Sequence, residues 1–144
     1  MLDGELVTLN DQGAPHWPLL CERALHGNHA IPVTFVAFDV LRVDGHDVMC
    51  NSWATRRALL EELDLERWCV RLSEVFDDGH ALFEAVSEHG LEGVVAKRRP
   101  ATYRPGYRGW VKVKNPAYWR RESERESVGR SFELRGRRPL VAGV

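Results

Sequence analysis

The run VTFVAFDVL, residues 33–41, is the feature that most constrains the fold, because its β-branched and aromatic residues favour a strand. A VDG turn and the short segment HDVMC follow it, so the sequence predicts a hairpin at this point. Three other segments predict helices, and a glycine closes the first and the last of them: residues 17–26, 53–63 and 79–89. Because strands and helices share one short chain, the predicted fold class is α+β.

Four further segments have the composition of strands, namely ELVTLN (5–10), WCVRLSEVF (68–76), EGVVAKRR (92–99) and GWVKVKN (109–115). The loop between the last two contains two prolines and a glycine, which favour a turn. The charged residues 117–127 predict a helix, and residues 129–144 show little periodicity and predict a flexible tail. The predicted organisation is one domain over residues 1–128, followed by that tail.

Composition is typical of a soluble globular protein, with 44% hydrophobic and 28% charged residues. No apolar run approaches the ~20 residues that a membrane span needs, and no signal-peptide pattern opens the chain. The cysteines Cys21, Cys50 and Cys69 are widely spaced and form no CxxC motif. We therefore expect reduced thiols, no zinc site and a cytoplasmic location.

Charge is distributed unevenly along the chain. Residues 1–95 carry 17 acidic and 6 basic residues, whereas residues 96–144 carry 4 acidic and 14 basic residues. Only three of the 20 basic residues are lysines, and Lys97, Lys112 and Lys114 fall within 18 positions. A basic half of this kind suggests a phosphate-rich partner, ATP or a nucleic acid or both. A solvated arginine-rich surface is the alternative interpretation.

The last two lysines lie in the segment WVKVK, where a strand places Trp110, Lys112 and Lys114 on one face. Two neighbouring ammonium groups repel each other, so this arrangement favours a polyanion that both of them contact. Lysine is a compact point charge that suits a phosphoryl group. Glu92 stands at the entrance of the preceding strand, where a carboxylate can hold a divalent cation.

Four segments resemble successive motifs of the ATP-dependent DNA ligase family: LDGELV, VTFVAFDVL, LEGVVAKRR and YRPGYRGWVKVKNPAYWRRE. The last of them, with NPAYWRRE, most resembles the small bacterial ligases. They span residues 2–122, and YxPGxR leading into WxKxK is the most specific part. The resemblance implies a nucleotidyltransferase fold, in which helices flank antiparallel sheets, here incomplete. In the family this adenylation domain is followed by an OB-fold domain.

In the family the nucleophile is a lysine in a KxDG motif ahead of the DGE strand, and it attacks the α-phosphate of ATP. The 144 residues contain no KxDG motif, and no lysine precedes Lys97. Too few residues follow NPAYWRRE to form the five strands of an OB-fold. The expectation is therefore a truncated ligase, the C-terminal half of an adenylation domain, that is inactive alone.

The resemblance also implies roles for individual residues. Glu5 corresponds to the acid near the ribose and the metal, and Phe38 to the aromatic ring that stacks on adenine. Asp39 corresponds to a residue that supports the site without contacting the ligand itself. Glu92 corresponds to the metal-binding glutamate, and Lys97 to a lysine close to the phosphates.

Lys112 and Lys114 correspond to the catalytic pair that contacts the α-phosphate and aids the departure of pyrophosphate. Four arginines are expected to contact DNA or phosphate: Arg104, Arg108, Arg120 and Arg121. The implied cofactors are ATP and Mg²⁺ or Mn²⁺, and the implied partner is nicked double-stranded DNA.

Two functions from different classes stay open. The first is a DNA ligase by descent, with a part in DNA repair, recombination and replication. The second is a non-catalytic module that binds nucleic acid or a nucleotide through its basic half. In either case the strand at residues 5–10 is expected to leave a sheet edge open, which predicts self-association.

Overall fold

The computed structural model describes residues 1–65, 67, 69–107 and 109–118. In chain order its elements are β1 (Leu2–Val7), α1 (Trp17–His26), β2 (Thr34–Val40), β3 (Arg42–Val43), β4 (His46–Asp47), α2 (Trp53–Glu62), β5 (Val70–Leu72), α3 (Gly79–Glu88), β6 (Gly93–Ala96) and β7 (Val111–Lys114). The combination of helices with separate sheets confirms the α+β class. None of the described helices is long and apolar enough to cross a membrane.

The chain divides into two compact units. Among the described residues, unit 1 contains Met1–Val75 and Lys97–Gly109, and unit 2 contains Phe76–Ala96 and the residues from Trp110 to Tyr118. Strands β6 and β7 therefore belong to unit 2, whereas the loop that joins them belongs to unit 1.

The sheet of unit 1 has the strand order β1-β2-β5. β1 pairs with β2 in the antiparallel sense that the family resemblance implies, and β2 adds a parallel pair with β5. A shift of register interrupts the first pair, because Asp3 lies opposite Asp39 while Gly4 lies opposite Ala37. Phe38 is thus the extra residue of a β-bulge, a feature that redirects side chains on a strand.

The core of unit 1 lies where α2 packs against β2. Its buried members are Ala37, Val40, Val48 and Leu60. Ser52 begins α2 as the N-cap, since its hydroxyl accepts a hydrogen bond from the Thr55 amide. The sequence pattern predicted this helix, and burial of Leu60 fixes the face that α2 turns to the sheet.

Unit 2 consists of the antiparallel pair β6–β7 with α3 packed against β6. Asp78 caps α3, because its carboxylate accepts hydrogen bonds from the amides of His80 and Ala81, and these bonds lower the pKa of Asp78. The strand pairing places Lys112 and Lys114 two positions apart on β7, as the sequence predicted. Their side chains therefore leave the same face of the strand.

Strand β1 ends earlier than the sequence predicted, at Val7 instead of residue 10. The following residues close a loop on themselves. The Thr8 hydroxyl donates to the His16 carbonyl at 2.7 Å, and the His16 amide donates to the Thr8 carbonyl at 2.8 Å. These bonds satisfy backbone groups that a longer strand would have paired with β2.

Strand β5 is also shorter than predicted and covers Val70–Leu72, because the described part of residues 68–76 pairs with β2 only there. The helix predicted for residues 117–127 lies outside the described residues except at its first two positions. The tail predicted for residues 129–144 lies wholly outside them.

Candidate functional site

A buried ion pair lies in the interior of unit 1. Asp39, in β2, is fully buried, and Arg56, in α2, is 1% exposed. Arg56 donates from Nε to Oδ1 of Asp39 at 2.8 Å and from Nη2 to Oδ2 at 2.9 Å. Its Nη1 donates to the carbonyl oxygens of Asn51 and Ala101. The planar guanidinium is thus hydrogen-bonded along several edges, and good geometry of this kind is what makes a buried charge pair tolerable.

Lys97 stands beside this pair, with its side chain 11% exposed. Its Nζ lies 3.9 Å from Oδ2 of Asp39, donates to the Phe38 carbonyl at 3.3 Å and lies 4.4 Å from the centre of the Phe38 ring. Burial lowers the pKa of Lys97 to about 8, although the carboxylates of Asp39 and Asp3 act in the opposite direction. A cation–π contact therefore brings Phe38 and Lys97, two predicted site residues, together.

Tyr103 completes this group of side chains. Its hydroxyl donates to Oδ2 of Asp3 at 2.8 Å, and its ring centre lies 5.7 Å from the guanidinium carbon of Arg56. Burial, together with the hydrogen bond to Asp3, raises the pKa of Tyr103 to about 12, so the hydroxyl stays a donor at neutral pH. Together these side chains form the unit 1 cluster, which consists of Asp3, Phe38, Asp39, Arg56, Lys97 and Tyr103.

The sequence did not identify Arg56 or Tyr103 as site residues. For Arg56 a signal was present, because it lies three residues after Trp53 and four before Leu60, on the buried face of α2. An arginine on an apolar helix face requires a buried acceptor. For Tyr103 no local pattern indicates the contact with Asp3, which lies 100 positions earlier in the chain.

Glu5 is partly buried in β1 and lies opposite Val36 of β2. Val36 is two positions from Phe38 along the same strand. Glu5 and Phe38, the predicted ribose and adenine contacts, therefore lie on two paired strands, with Phe38 two positions beyond the residue that faces Glu5.

Unit 2 brings together three more of the predicted residues. The Nζ atoms of Lys112 and Lys114 lie 2.9 and 3.2 Å from the same atom, Oε1 of Glu92. Partial burial by itself raises the pKa of Glu92, but the two lysines outweigh it, so the pKa of Glu92 lies below its ordinary value. These three side chains are named the lysine clamp. Because a carboxylate oxygen between two ammonium groups has the charge and size of a phosphate oxygen, the clamp is suited to an anionic ligand.

Two residues that the sequence did not identify hold the clamp in place. Gly93 has a φ of 155°, and an added Cβ would overlap the carbonyl oxygen of Val113. Asn115 is 2% exposed, and it donates to the Glu92 carbonyl from its backbone amide at 2.7 Å and to the Leu91 carbonyl from Nδ2 at 3.0 Å. The backbone of Glu92 is therefore fixed on both sides.

Replacing Gly93 with alanine is expected to destabilise unit 2 by about 1–3 kcal/mol. The new Cβ would overlap backbone atoms of Val113 and Lys114, which cannot rotate away as a flexible side chain can. Glu92 should then leave the lysines, and its pKa should rise. Urea unfolding and an NMR pH titration of Glu92 measure the two effects. Gly79→Ala is the matched control, since an added Cβ there meets nothing within 4 Å. Equal stability of the two variants would contradict the close packing at Gly93.

The predicted metal ligands were Glu92 and Glu5. Within the described part of the chain, no three His, Cys, Asp or Glu side chains converge as a metal site. Glu92 nevertheless fits a Mg²⁺ ion that takes its other ligands from phosphates and water, because Mg²⁺ in nucleotide sites is held by one or two carboxylates. Such an ion would compete with Lys112 and Lys114 for the Glu92 carboxylate.

Of the four arginines predicted to contact DNA, the structure describes one. Arg104 is exposed in the loop between β6 and β7. The other three, Arg108, Arg120 and Arg121, lie outside the described residues.

Three comparisons relate the chain to known proteins. A family model described as ATP dependent DNA ligase domain matches residues 1–114. The chain is 37% identical over 118 residues to the multifunctional non-homologous end joining DNA repair protein LigD of Mycobacterium tuberculosis. This match covers 80% of this chain and 15% of that protein. It is 38% identical over 132 residues to a probable DNA ligase of Streptomyces griseus, and this match covers 79% of this chain and 26% of that protein.

Among solved structures, mycobacterial DNA ligase D complexed with ATP and MES matches with a TM-score of 0.64 and 36% identity. The match covers 78% of this chain and 37% of that chain. The chain thus spans 15% and 26% of the length of the two curated relatives, and it corresponds to a part of each.

Proposed function

Because the chain belongs to the ATP-dependent DNA ligase family, we propose that these residues bind ATP and stabilise negative charge on its phosphates during ligase adenylation. In this chemistry AMP passes from ATP to a lysine and then to the 5′-phosphate of a DNA nick, and attack by the 3′-hydroxyl seals the strand. Charge develops on phosphate oxygens at each step, so cations that are already in position lower the barrier. The solved relative that holds ATP supports ATP as the nucleotide.

The lysine clamp is the observation that carries the proposal. Two ammonium groups lie within 3.2 Å of one oxygen of Glu92, and an anion with several oxygens can take the same two donors. The side chains of Lys112 and Lys114 are 26% and 43% exposed, so a ligand can reach them from solvent. We assign to this pair the α-phosphate and the departing pyrophosphate.

In unit 1 we assign the adenine to Phe38, the ribose side to Glu5 and a phosphate to Lys97. The Phe38 ring is partly exposed, and Lys97 covers one of its faces. A base would therefore stack on the opposite face. Glu5 in unit 1 and, separately, Glu92 in unit 2 are each proposed as a carboxylate for Mg²⁺ or Mn²⁺, which would neutralise phosphate charge when bound.

None of the residues assigned to ATP or to the metal is the nucleophile that attacks the α-phosphate. The lysines of the chain are Lys97, Lys112 and Lys114, and none of them lies in a KxDG motif. We propose that a polypeptide of these 144 residues does not adenylate itself, and that the complete reaction requires a KxDG lysine. The second candidate is a module that binds a nucleotide or nucleic acid without catalysis, and the excess of basic residues over residues 96–144 is what favours it.

Nicked double-stranded DNA is the proposed partner of the basic half. The basic side chains there include the exposed Arg104. Binding through phosphates is expected to be non-specific, on the order of 10⁻⁴–10⁻⁶ M, and to weaken as salt rises. Self-association is a separate proposal, supported by Leu6, which is 55% exposed in β1, a strand that pairs on one side only among the described strands. Sedimentation velocity tests it, and a monomer at all concentrations would contradict it.

The clamp predicts a large difference between two ligands. Replacing both Lys112 and Lys114 with alanine should weaken ATP binding by roughly a hundredfold or more, because each charge-assisted contact contributes about 1.5–3 kcal/mol, roughly a factor of ten to a hundred in affinity. DNA binding should fall much less. Titration of the variant with ATP and with a nicked duplex, at two salt concentrations, measures both affinities.

The matched control is the triple variant Arg120→Ala/Arg121→Ala/Arg125→Ala, which removes positive charge elsewhere in the basic half. It should weaken DNA binding more than ATP binding. If both variants lose the same affinity for both ligands, the basic half is one undifferentiated charged surface, and the assignment of the lysine clamp to ATP fails.

A further inference from the structure

The unit 1 cluster contains a charge arrangement that the roles assigned above leave unexplained. Two carboxylates, Asp3 and Asp39, face two cations, Arg56 and Lys97. The cations share Asp39 unequally, because Arg56 bonds both of its oxygens at 2.8 and 2.9 Å while Lys97 stays 3.9 Å away. The usual length of a charge-assisted bond between an ammonium and a carboxylate is about 2.8 Å. Lys97 stays beyond that length from Asp39, whose two oxygens both accept from Arg56, while it donates to the Phe38 carbonyl at 3.3 Å.

We propose that Arg56 is a positioning residue for Lys97. By bonding both oxygens of Asp39 and fixing the plane of that carboxylate, the guanidinium holds the ammonium at 3.9 Å from Asp39 and leaves it over the Phe38 ring, where it can meet an anion. Only the last clause rests on the proposed function, since the placement of Lys97 does not depend on which ligand it serves.

The hydrogen bonds of α2 support this role independently of the ion pair. The Trp53 amide donates to the Ala101 carbonyl at 2.7 Å, and the Ala54 amide donates to the Arg99 carbonyl at 3.0 Å. The first turn of α2 thus holds the chain segment that directly follows Lys97. The same helix supplies Arg56, so one element fixes both the backbone that carries Lys97 and the carboxylate that attracts it.

The fork geometry explains why an arginine stands at this position. Its Nε and Nη2 bond the two oxygens of Asp39, and its Nη1 bonds the carbonyls of Asn51 and Ala101. A lysine has a single nitrogen and cannot occupy both carboxylate oxygens while also reaching these carbonyls. Lysine at residue 56 would keep the charge but release one oxygen of Asp39 to Lys97.

The charged groups that act on Lys97 come from three elements. Asp39 lies in β2 and Asp3 in β1, and both favour its charged form, whereas Arg56 and Arg57 of α2 disfavour it. Burial disfavours the charged form most strongly. Loss of Arg56 therefore removes a positive charge that repels Lys97, and it leaves the Asp39 carboxylate without its arginine partner. Both changes favour the charged form of Lys97 and raise its pKa.

Because the chain has only three lysines, NMR of protein labelled with ¹³C in the lysine ε-position resolves the question directly. In the unaltered chain the Lys97 signal should titrate near pH 8 and should carry an upfield shift from the Phe38 ring. In Arg56→Gln the ring shift should disappear, and the pKa should rise toward the ordinary value of lysine. Arg56→Lys should regain part of the stability but not the ring shift.

Arg42→Gln is the matched control, since it removes one exposed arginine from the same unit, and it should leave the Lys97 signal unchanged. A merely structural role for Arg56 predicts that Arg56→Gln lowers the melting temperature while Lys97 still titrates near pH 8 over the ring. That result would overturn the proposal.

If Arg56→Gln unfolds, the three lysine signals collapse to one position, and the double variant Asp39→Asn/Arg56→Gln takes its place. There the carboxylate that attracts Lys97 is gone, so the ammonium should remain over the ring and its pKa should fall below that of the unaltered chain. A ring shift that is lost in the double variant would overturn the proposal.

An ATP titration of the same samples separates this proposal from the proposed function. Arg56→Gln should weaken ATP binding by about tenfold if Lys97 serves a phosphate. If the unaltered chain binds no ATP but the Lys97 signal responds to Arg56 as expected, the proposed function fails and the positioning role stands.

Discussion

Replacing Asp39 with asparagine is expected to lower the free energy of unfolding by about 3–5 kcal/mol, because it breaks a buried ion pair by removing one partner. The guanidinium of Arg56, which is 1% exposed, would then keep its charge without a carboxylate to balance it. Since small domains have total stabilities of about 5–15 kcal/mol, this single change removes a large fraction of the stability. Urea unfolding followed by tryptophan fluorescence measures the loss.

Asp44→Asn is the matched control for this substitution. Asp44 is exposed in the turn between β3 and β4 and has a φ of 47°, a conformation that asparagine tolerates, so we expect a change within about 0.5 kcal/mol. The double variant Asp39→Leu/Arg56→Leu should recover much of the lost stability, because no unpaired charge stays buried. A loss below about 1 kcal/mol for Asp39→Asn, the range of a surface ion pair, would contradict the buried arrangement.

The second large effect concerns covalent chemistry. The 144-residue chain, incubated with Mg²⁺ and ATP labelled in the α-phosphate, is expected to retain no label after denaturation. Its lysines are held by carboxylates, Lys112 and Lys114 by Glu92 and Lys97 by Asp39 at longer range, and none belongs to a KxDG motif. A ligase relative that contains the motif serves as the positive control. Stable label that maps to any of the three lysines would show that one of them acts as the nucleophile.

Local sequence patterns predicted helices and strands well where the spacing of apolar residues within a few positions indicates the element. The helices at residues 17–26, 53–63 and 79–89 appear with nearly the same bounds. The spacing of two positions predicted that Lys112 and Lys114 leave the same face of β7, and both contact Glu92; a polyanion shared by the two lysines stays a prediction. These features depend on residues within a few positions of each other, and alternation or helical spacing records them directly.

The features that the sequence did not reveal depend on distant residues. The parallel pairing of β2 with β5 joins segments about 35 positions apart, and no local period indicates it. Regular alternation would place Glu92 on the face of Val94, away from the lysines, and the unusual φ of Gly93 is what brings it to them. The bulge at Phe38 likewise follows from the pairing of β1 with β2.

The proposed function is tested most directly by supplying a KxDG lysine. A segment of a ligase relative that carries the KxDG motif is joined ahead of Met1, and the fusion is incubated with Mg²⁺ and ATP labelled in the α-phosphate. We expect AMP on the KxDG lysine, a strong loss of label in Lys112→Ala/Lys114→Ala, and full label in the control Arg42→Ala. Undiminished label in the variant that lacks both lysines would contradict a role for the lysine clamp in transferring AMP.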